Sequence, residues 1–351
     1  MERVGKRPWV TVIVAAYNSE RFIHQLAQSL SGQAVPSGVG PMEVIFVDGG
    51  STDNTVAVAR ELGYTVVNNP AGHAISAKAI GFREATSQFV CFLDHDETFE
   101  KTDSLKRRYE LFEGHPGLRA ITSAGYKFNR TEPTSNLYAS EFGDPVSLVS
   151  YRSPNSVRFR EQSLLRHLRT VHDDGDALLF AAGSEKRPIL CELVAGTGMM
   201  DRDYFAEVHP ELFVDQNFLP HAYYRLGNGD LIAMIRGDAV IHDSAESWSV
   251  VRAKISWRVT NAVLGTDISA SGFSGRQPSP LYNPARQKLR FFLYAASVVL
   301  PLADGVWLAF TRRRIGYLNH FFLTYFVVYK AVALRLRALL GRVPQSRRYG
   351  L

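Results

Sequence analysis

The stretch VTVIVAAYNSERFIHQLAQSL, residues 10–30, decides the fold of this chain. Its first seven residues are apolar or β-branched, which is typical of a buried strand. The remainder places apolar residues at helical spacing behind Ser19, a residue type that commonly caps the start of a helix. A strand that leads directly into an amphipathic helix is half of a strand–helix–strand unit. The stretch therefore predicts a parallel sheet with helical crossover connections.

The same alternation continues to about residue 100. The segments MEVIFV (42–47), YTVVN (64–68) and SQFVCFL (87–93) have the composition of strands. The segment STDNTVAVARELG (51–63) begins with capping residues and ends at glycine, and HAISAKAIGFREA (73–85) has a helical pattern. Sheets of this kind bind ligands at the carboxyl ends of their strands, so we expect the functional residues there.

Polar clusters follow the strands at those ends, and the cluster DHDE (94–97) is the most informative. In extended backbone, Asp94 and Asp96 point the same way, so they can converge on one divalent cation, which would in turn hold a diphosphate. An isolated Asp-x-Asp triplet also fits a solvated loop after a strand. Asp53 precedes a helical segment, and we expect it to satisfy free backbone N–H groups instead of binding a ligand.

Charge is distributed unevenly along the 351 residues, whose formal net charge is +6. Residues 286–351 contain twelve Lys and Arg against one acid, a balance of +11, so the preceding chain balances at −5. This pattern indicates that the basic tail, and not the acidic body, meets a polyanionic surface. We expect an anionic membrane surface, and no nucleic acid, as the partner. The two cysteines form no CxxC pair, and a cytoplasmic location is expected.

The tail contains two long apolar segments, FFLYAASVVLPLADGVWLAF (291–310) and YLNHFFLTYFVVYKAVALRL (317–336). Both approach the length of a membrane span, but polar residues interrupt them. A spanning hairpin would also carry the connector Arg312–Arg314 across the membrane, against the positive-inside tendency. We therefore predict interfacial or re-entrant helices that hold the protein at the cytoplasmic face as a peripheral or monotopic protein. A soluble helical subdomain and a transmembrane hairpin are the alternatives.

Four motifs together carry a family resemblance: VTVIVAAYNSE, EVIFVDGGSTDNT, AGHAISAKAIGFREA and FVCFLDHDETF. In order and spacing they resemble family 2 glycosyltransferases with the GT-A fold. The resemblance implies an α/β GT-A domain over residues 1–260, with a donor half at 8–100 and an acceptor half at 101–260. A helical membrane-association region would follow at 261–351. The resemblance is strong over residues 8–100 and weakens through AGTGMMDRDYF, where the acceptor loop is expected.

The resemblance also assigns roles to individual residues. The donor nucleotide would be bound by Ala16, Tyr17, Asp48, Lys78 and Asp94. Gly49 stands where the family usually has a second acid, and Ala79 replaces a common asparagine, which weakens the assignment of the base contacts.

A divalent cation, Mg²⁺ or Mn²⁺, would be bound by Asp96 and Asp94, with His242 at the end of a later apolar strand as a further ligand or as a structural residue. Asp215 would be the catalytic base, since it follows the Gly-rich acceptor loop. Asp201 and Asp203 lie closer to that loop, but DRDYF resembles the start of a helix.

The function implied is inverting, metal-dependent transfer of a sugar from a nucleotide-diphosphate donor to a lipid-linked or membrane-proximal glycan acceptor. Lys254 and Arg258, at i and i+4 of a helical segment, would bind an acceptor or lipid phosphate. Two alternatives remain open: a polyprenyl-phosphate sugar synthase, and a catalytically inactive scaffold that binds nucleotide sugars at a membrane. The identity of the sugar and the oligomeric state have no signature in the sequence.

Overall fold

The computed structural model describes residues 6–129, 131–186, 197–214, 218–243, 247–264 and 283–342. The chain forms two compact units. The first contains Met1–Lys127 and Val157–His242, and the second contains Phe128–Ser156 and Asp243–Leu351. The domain boundary predicted at residue 260 stays a prediction, although these units divide the chain at other residues.

All strands of the described residues lie in the first unit. They are β1 Val10–Ala16, β2 Met42–Asp48, β3 Thr65–Asn68, β4 Phe89–Asp94, β5 Glu97–Phe99, β6 Leu118–Thr122, β7 Thr170–Asp173, β8 Ala177–Ala181, β9 Met199–Asp201, β10 Leu231–Ile235 and β11 Val240–His242. Nine of them form one sheet in the order β3-β2-β1-β4-β9-β6-β10-β8-β7, and β5 pairs with β11 in a small antiparallel sheet.

Helices flank the sheet in the first unit and form the second unit. They are α1 Glu20–Ser31, α2 Thr55–Glu61, α3 Ala74–Glu84, α4 Ser104–Gly114, α5 Thr134–Phe142, α6 Pro145–Tyr151, α7 Val157–His167, α8 Arg202–Val208, α9 Phe218–Arg225, α10 Trp248–Leu264, α11 Pro284–Ala296, α12 Val299–Arg312 and α13 Asn319–Leu339. Short 3-10 turns at Pro210–Phe213 and Ile315–Leu318 complete the described elements.

Parallel pairing of the first four sheet strands confirms the predicted α/β fold. Every residue of β1 is buried, which explains why its sequence is apolar throughout instead of alternating. Helix α3 packs closely on this strand at Gly81, where an added Cβ would lie 2.4 Å from the Cγ2 atom of Ile13. Strand β1 pairs with β2 and β4, and β2 pairs with β3, all in parallel. The carboxyl ends of these four strands therefore lie at one edge of the sheet.

Strand β9 occupies the centre of the sheet, where it runs antiparallel to both β4 and β6. Met199 pairs with Cys91, and Asp201 pairs with Phe89 near the start of β4. The chain therefore passes from the edge near the end of β4, at Gly198, to the opposite edge at Asp201. This strand joins two half-sheets that would otherwise each have an open edge.

The second unit is helical, and its core is lined by aromatic and aliphatic side chains from α5, α6, α10, α11, α12 and α13. Buried charges within it are paired. The Glu141 carboxylate accepts hydrogen bonds from Arg312 at 2.9 Å and from the Tyr317 hydroxyl at 2.8 Å. The described part of the tail, residues 283–342, is therefore helical, as predicted, and it shares its core with residues 128–156.

No single helix of the described residues is long and apolar enough to cross a membrane. Helices α11, from Ala285, and α12 pass that test of length and composition only as a pair bent by 86°. The prediction of membrane association therefore stays a prediction.

Candidate active site

The carboxyl ends of three parallel strands bring the predicted donor residues together. In the sheet register, Ala16 of β1 pairs with Asp48 of β2, and Ala15 pairs with Asp94 of β4. Tyr17 directly follows β1 and is half-buried. Ala16, Tyr17, Asp48 and Asp94 therefore lie at one edge of the sheet, as predicted. Their contacts to a nucleotide stay a prediction.

Two loops at this edge are hydrogen-bonded to each other. Asn18 has a left-handed backbone, φ 47°, and its side chain accepts a hydrogen bond from the Thr52 N–H at 2.8 Å. Its own N–H donates to the Ser51 hydroxyl at 2.9 Å. The Asp48 carboxylate accepts from the N–H groups of Gly50 and Ser51 at 3.0 and 3.1 Å. Asp48 therefore organises the turn that follows its own strand.

Asp53 satisfies free backbone N–H groups, as predicted, whereas the prediction that Ser19 caps α1 was wrong. Ser19 occupies the position before α1 but makes no capping bond there, since its hydroxyl accepts from the Tyr17 N–H at 3.1 Å. Asp53 accepts from the N–H groups of Glu20 and Thr55 instead, at 3.1 and 3.0 Å. Burial opposes ionisation, yet the hydrogen bonds from Thr55 and Glu20 hold the Asp53 pKa below its ordinary value.

Lys78 of α3 and Asp94 of β4 form an ion pair at the strand-end edge. The Lys78 Nζ atom lies 2.8 Å from Asp94 Oδ1, and the lysine side chain is 9% exposed. Helix α3 carries the lysine to this edge because it packs across β1 and β2. A nearly buried ammonium beside a strand end is suited to contact an anionic ligand such as a phosphate.

Asp96 and His242 form a second pair, from elements far apart in sequence. Their closest atoms, Asp96 Oδ2 and His242 Nε2, are 3.5 Å apart, and the side chains are 11% and 13% exposed. The pairing of β5 with β11 sets this distance, because it places His242 opposite Glu97. The structure thus brings together two of the residues predicted to bind the metal.

Glu97 and Tyr126 are parts of the site that sequence analysis did not assign. The Glu97 carboxylate is buried and accepts hydrogen bonds from the Asp94 N–H at 2.8 Å and from the Tyr126 hydroxyl at 2.5 Å. The Tyr126 ring stacks on His242 with centroids 4.6 Å apart. Burial, followed by the charge of Asp94, raises the pKa of Glu97 to about 7. The available signal was Glu97 itself, the third acid of DHDE.

The donor set fits a hard divalent cation only in part. No three His, Cys, Asp or Glu side chains of the described residues are grouped as metal ligands. Asp96 and His242 are adjacent, whereas Asp94 faces Lys78. A carboxylate and an imidazole leave several coordination positions of Mg²⁺ or Mn²⁺ to diphosphate and water oxygens, which is how Mg²⁺ is commonly bound. The metal roles of Asp94, Asp96 and His242 stay predictions.

The predicted base, Asp215, lies outside the described residues. The two acids weighed against it are placed elsewhere. Asp201 caps α8 by accepting from the Tyr204 N–H at 3.2 Å, which confirms the predicted helix start, and it lies at the opposite edge of the sheet. Asp203 pairs with Arg7 at 2.7 Å. Neither acid lies at the strand-end edge that carries Asp94.

The end of the Gly-rich loop is held by a buried ion pair. Arg108 and Asp238 are both 0% exposed, and Arg108 Nε lies 2.7 Å from Asp238 Oδ2. The guanidinium also donates to the Thr197 carbonyl at 2.8 Å. Thr197 has a left-handed φ of 58°, and its hydroxyl lies 2.7 Å from the hydroxyl of Ser123 at the end of β6. The chain therefore enters β9 in one defined conformation beside the acidic strand end.

Lys254 and Arg258 lie on α10 in the second unit. Arg258 Nη1 lies 3.1 Å from the carboxylate of Asp144, which is 1% exposed. Asp144 also caps α6 by accepting from the Ser147 N–H at 2.8 Å. Arg258 thus has a structural partner, and phosphate binding by these two residues stays a prediction.

Comparison with known proteins finds a sugar-transferase family over the N-terminal part of the chain. Residues 11–177, just under half of the chain, match the family model described as Glycosyl transferase family 2. A 4,4'-diaponeurosporenoate glycosyltransferase of Staphylococcus aureus is 33% identical over 121 residues. That similarity covers 32% of this chain and 31% of the relative. The chain therefore spans about a third of the length of the curated relatives it matches.

Similar solved structures cover nearly the whole chain at low identity. The mannosyltransferase PcManGT from Pyrobaculum calidifontis, in complex with GDP-Man and Mn²⁺, is 15% identical with a TM-score of 0.48, covering 97% of this chain and 90% of that one. S. aureus TarS 1-349 in complex with UDP-GlcNAc is 15% identical with a TM-score of 0.44, covering 96% and 93%. Residues 11–177 therefore match glycosyltransferase family 2, the family that the sequence motifs resemble.

Proposed function

We propose that this protein transfers a sugar, with inversion, from a nucleotide-diphosphate donor to a lipid-linked or membrane-proximal acceptor. The observation that carries the proposal is the edge of the sheet where Lys78 meets Asp94 and His242 meets Asp96. The Lys78 ammonium and the candidate metal-binding pair of Asp96 and His242 lie at the ends of parallel strands, where nucleotides bind in sheets of this kind. The family match supports the same class of reaction.

The chemistry requires stabilisation of the leaving diphosphate and removal of a proton from the acceptor. The acceptor oxygen attacks the anomeric carbon, the bond from that carbon to the diphosphate oxygen breaks, and the acceptor proton passes to a base. Lys78 offsets the charge of the departing diphosphate. Asp96 and His242 would hold a divalent cation, which would neutralise further diphosphate charge when bound. We assign the base to Asp215 on the family resemblance.

A membrane-proximal acceptor is supported by the surface of the tail helices. Large apolar side chains are exposed on them, including Trp307 at 61%, Phe310 at 78% and Phe322 at 67%. These helices also carry most of the basic residues of the tail. Exposed aromatic and basic side chains together favour binding at the headgroup level of an anionic leaflet. We therefore propose a peripheral or monotopic protein at the cytoplasmic face of the membrane.

The central test is a screen of nucleotide sugars for donor hydrolysis, with Mn²⁺ or Mg²⁺ and with membrane extract as the acceptor source. We expect metal-stimulated release of the nucleoside diphosphate from one donor, and faster release with extract. If no nucleoside diphosphate were released from any donor, the proposal of an enzyme would be contradicted and a nucleotide-sugar-binding scaffold would be favoured. Undiminished release in EDTA would contradict metal dependence.

Asp215→Asn tests the nature of the acceptor. The amide is nearly isosteric with the carboxylate but is a far weaker base, so kcat for a hydroxyl acceptor should fall by about 10² or more, with donor binding retained. A lipid phosphate acceptor needs little deprotonation. Undiminished transfer by this variant would therefore favour the polyprenyl-phosphate sugar synthase over the proposed reaction.

Sedimentation with vesicles tests the membrane assignment. Full-length protein should bind vesicles containing anionic lipid, be released in part by high salt, and be released fully by detergent. Replacing both Trp307 and Phe310 with Ser should weaken binding. The matched control is Val35→Ser in the first unit, since Val35 is also exposed, at 59%. Failure to bind would support a soluble helical subdomain, whereas cleavage at Arg312–Arg314 from the far side of sealed vesicles would establish a hairpin that crosses the membrane.

A further inference from the structure

We propose that Glu97 and Tyr126 are positioning residues that hold Asp94 and His242 in place for metal and donor binding. The inference rests on the proposed function, because it names residues that support the same site. Neither residue needs to touch the substrate. Their role follows from a continuous set of contacts that joins β4, β5 and β11 with Tyr126, which lies beyond the end of β6.

Glu97 is placed to act through its neighbours instead of as a ligand. It is 1% exposed, and each of its two carboxylate oxygens accepts a hydrogen bond. One oxygen accepts from the Asp94 N–H, which fixes the turn between the two acids of the Asp-x-Asp triplet. The other accepts from the Tyr126 hydroxyl. A buried carboxylate with both oxygens occupied is suited to orienting other groups.

Tyr126 transmits this restraint to His242. Its hydroxyl is held by Glu97, and its ring lies against the imidazole with 26° between the planes. Its backbone forms a bridge with Val240 of β11, and the Lys127 N–H donates to the Val240 carbonyl at 2.8 Å. The ring is thus fixed from both ends. The imidazole stacked on it faces Asp96.

The contacts close into a loop. Glu97 bonds to Asp94 and Tyr126, Tyr126 stacks on His242, and His242 lies 3.5 Å from Asp96, the residue before Glu97 in the chain. A histidine without a fixed ring plane presents its nitrogen in several directions. Groups that fix the orientation of a metal ligand typically change metal affinity or activity by about 10–100-fold when they are removed. Loss of either positioning residue should therefore weaken metal binding without altering any ligand.

The experiment compares Glu97→Gln, Tyr126→Phe and the double variant in the full-length protein. Tyr126→Phe keeps the ring on His242 but removes the bond to Glu97. Glu97→Gln keeps an oxygen that can accept from Asp94. For each variant, Mn²⁺ binding is measured from free Mn²⁺ by electron paramagnetic resonance, and donor turnover is measured as kcat and KM against Mn²⁺ concentration.

We expect each single variant to bind Mn²⁺ about 10-fold more weakly and to need correspondingly more Mn²⁺ for half-maximal turnover. The double variant should lose less than the product of the two single losses, because both substitutions alter the same contact between positions 97 and 126. Glu97→Ala should lose more than Glu97→Gln, since it also leaves the Asp94 N–H unpaired. A partial rescue by Gln separates positioning from a general loss of folding.

Tyr204→Phe is the matched control. The Tyr204 hydroxyl donates to Asp230 at 2.8 Å, so the substitution removes the same kind of hydrogen bond. Tyr204 lies on α8, beyond the opposite edge of the sheet. This variant should bind Mn²⁺ as the wild type does. If Glu97→Gln and Tyr126→Phe changed only thermal stability, with unchanged Mn²⁺ binding and unchanged turnover, the positioning role would be wrong.

Failure of the proposed function gives a different result. If the wild type bound Mn²⁺ but hydrolysed no donor, the enzyme proposal would fall, whereas the positioning proposal would still be decided by Mn²⁺ binding of the variants. If the wild type bound no Mn²⁺ and Asp96→Ala behaved like it, the metal site and with it the positioning role would be wrong.

Discussion

Each compact unit contains a histidine set among tyrosines and acids, and the two differ in how completely they are enclosed. In the first unit, His242 stacks on Tyr126 and faces Asp96 at a partly open edge, 13% exposed. In the second unit, His320 is 0% exposed. Its Nδ1 atom lies 2.8 Å from the Tyr138 hydroxyl, and its Nε2 atom lies 2.7 Å from the Tyr294 hydroxyl.

The enclosed cluster of the second unit consists of His320, Tyr138, Tyr294 and Asp304, and its hydrogen bonds allow one consistent assignment of donors and acceptors. Tyr294 donates its hydroxyl proton to Asp304 at 2.7 Å, so it must accept from His320 Nε2–H, and Nδ1 then accepts from Tyr138. Burial lowers the His320 pKa to about 4. A histidine with both nitrogens satisfied by its own chain is a structural residue. The open cluster of the first unit, His242 with Tyr126 and Asp96, has the same residue types. Its imidazole faces the Asp96 carboxylate at a partly exposed edge, which makes the pair a candidate for metal binding.

Asp96→Ala should produce the largest loss of activity among the variants considered. Removing the carboxylate that faces His242 should lower kcat/KM by about 10³-fold, on the order of 4 kcal/mol, with little change in the free energy of unfolding. Asp304→Asn in the enclosed cluster should do the opposite, costing stability without a direct loss of donor binding. Steady-state kinetics and urea unfolding of both variants distinguish the two. Wild-type turnover by Asp96→Ala would remove the site assignment.

His320 predicts a pH dependence of stability in the second unit. Its folded pKa is about 4, below the ordinary value of 6.5, so below pH 6.5 the unfolded chain binds a proton that the folded chain does not. The free energy of unfolding should fall as the pH drops from 6.5 to 4, by on the order of 3 kcal/mol from this group.

The measurement is urea unfolding at several pH values between 4 and 7. The neighbouring charges are Asp304, which favours protonation of His320, and Arg152, which opposes it. His320→Leu should be less stable at neutral pH but should show a shallower fall with acid. An equal slope in the variant would assign the acid sensitivity to other groups.

His242→Gln tests whether the histidine of the first unit contributes to metal binding or to stability. The amide keeps polarity near Asp96 but loses the imidazole nitrogen and the stacking on Tyr126. We expect turnover at limiting Mn²⁺ to fall by about 10–100-fold, with recovery at high Mn²⁺ and a change in stability of about 1 kcal/mol at most. A large loss of stability without loss of metal affinity would make His242 structural, like His320.

Asp53→Ala should give the smallest effect, because this acid bonds only to backbone and hydroxyl groups of its own edge of the sheet. Loss of a helix-capping carboxylate typically costs about 1 kcal/mol. Thermal unfolding should detect this cost, while donor KM at low temperature should be nearly unchanged. A large rise in KM would make Asp53 part of the donor site.

The donor half was predictable because its signals are local. The apolar runs of β1, β2 and β4 and the helices between them are each readable within a short window, and parallel pairing then places Asp48 and Asp94 at one edge. The resemblance to family 2 glycosyltransferases added Lys78, which the structure places against Asp94.

Partners far apart in sequence were not predictable. Nothing near Tyr126 indicates that its ring meets His242, since that contact depends on the bridge between Tyr126 and Val240 of β11. Likewise, the predicted acceptor half, residues 101–260, includes residues 128–156, which lie in the helical unit with the tail. Ser19 does not cap α1 because its hydroxyl accepts from the Tyr17 N–H, while Asp53 from the next loop accepts from the Glu20 N–H at the start of the helix. Such competition is settled by tertiary contacts.

The central position of β9 has a consequence for the order of assembly. Its three residues, Met199–Asp201, separate β4 from β6, yet they follow β4 by about a hundred residues in the chain. Until they are synthesised, both neighbouring strands present unpaired backbone, and contacts of such sequence separation form late and slowly. The match to the family ends at residue 177, before this strand. A fragment cut at that residue would have a complete Asp-x-Asp triplet and an open sheet beside it, and we expect it to aggregate.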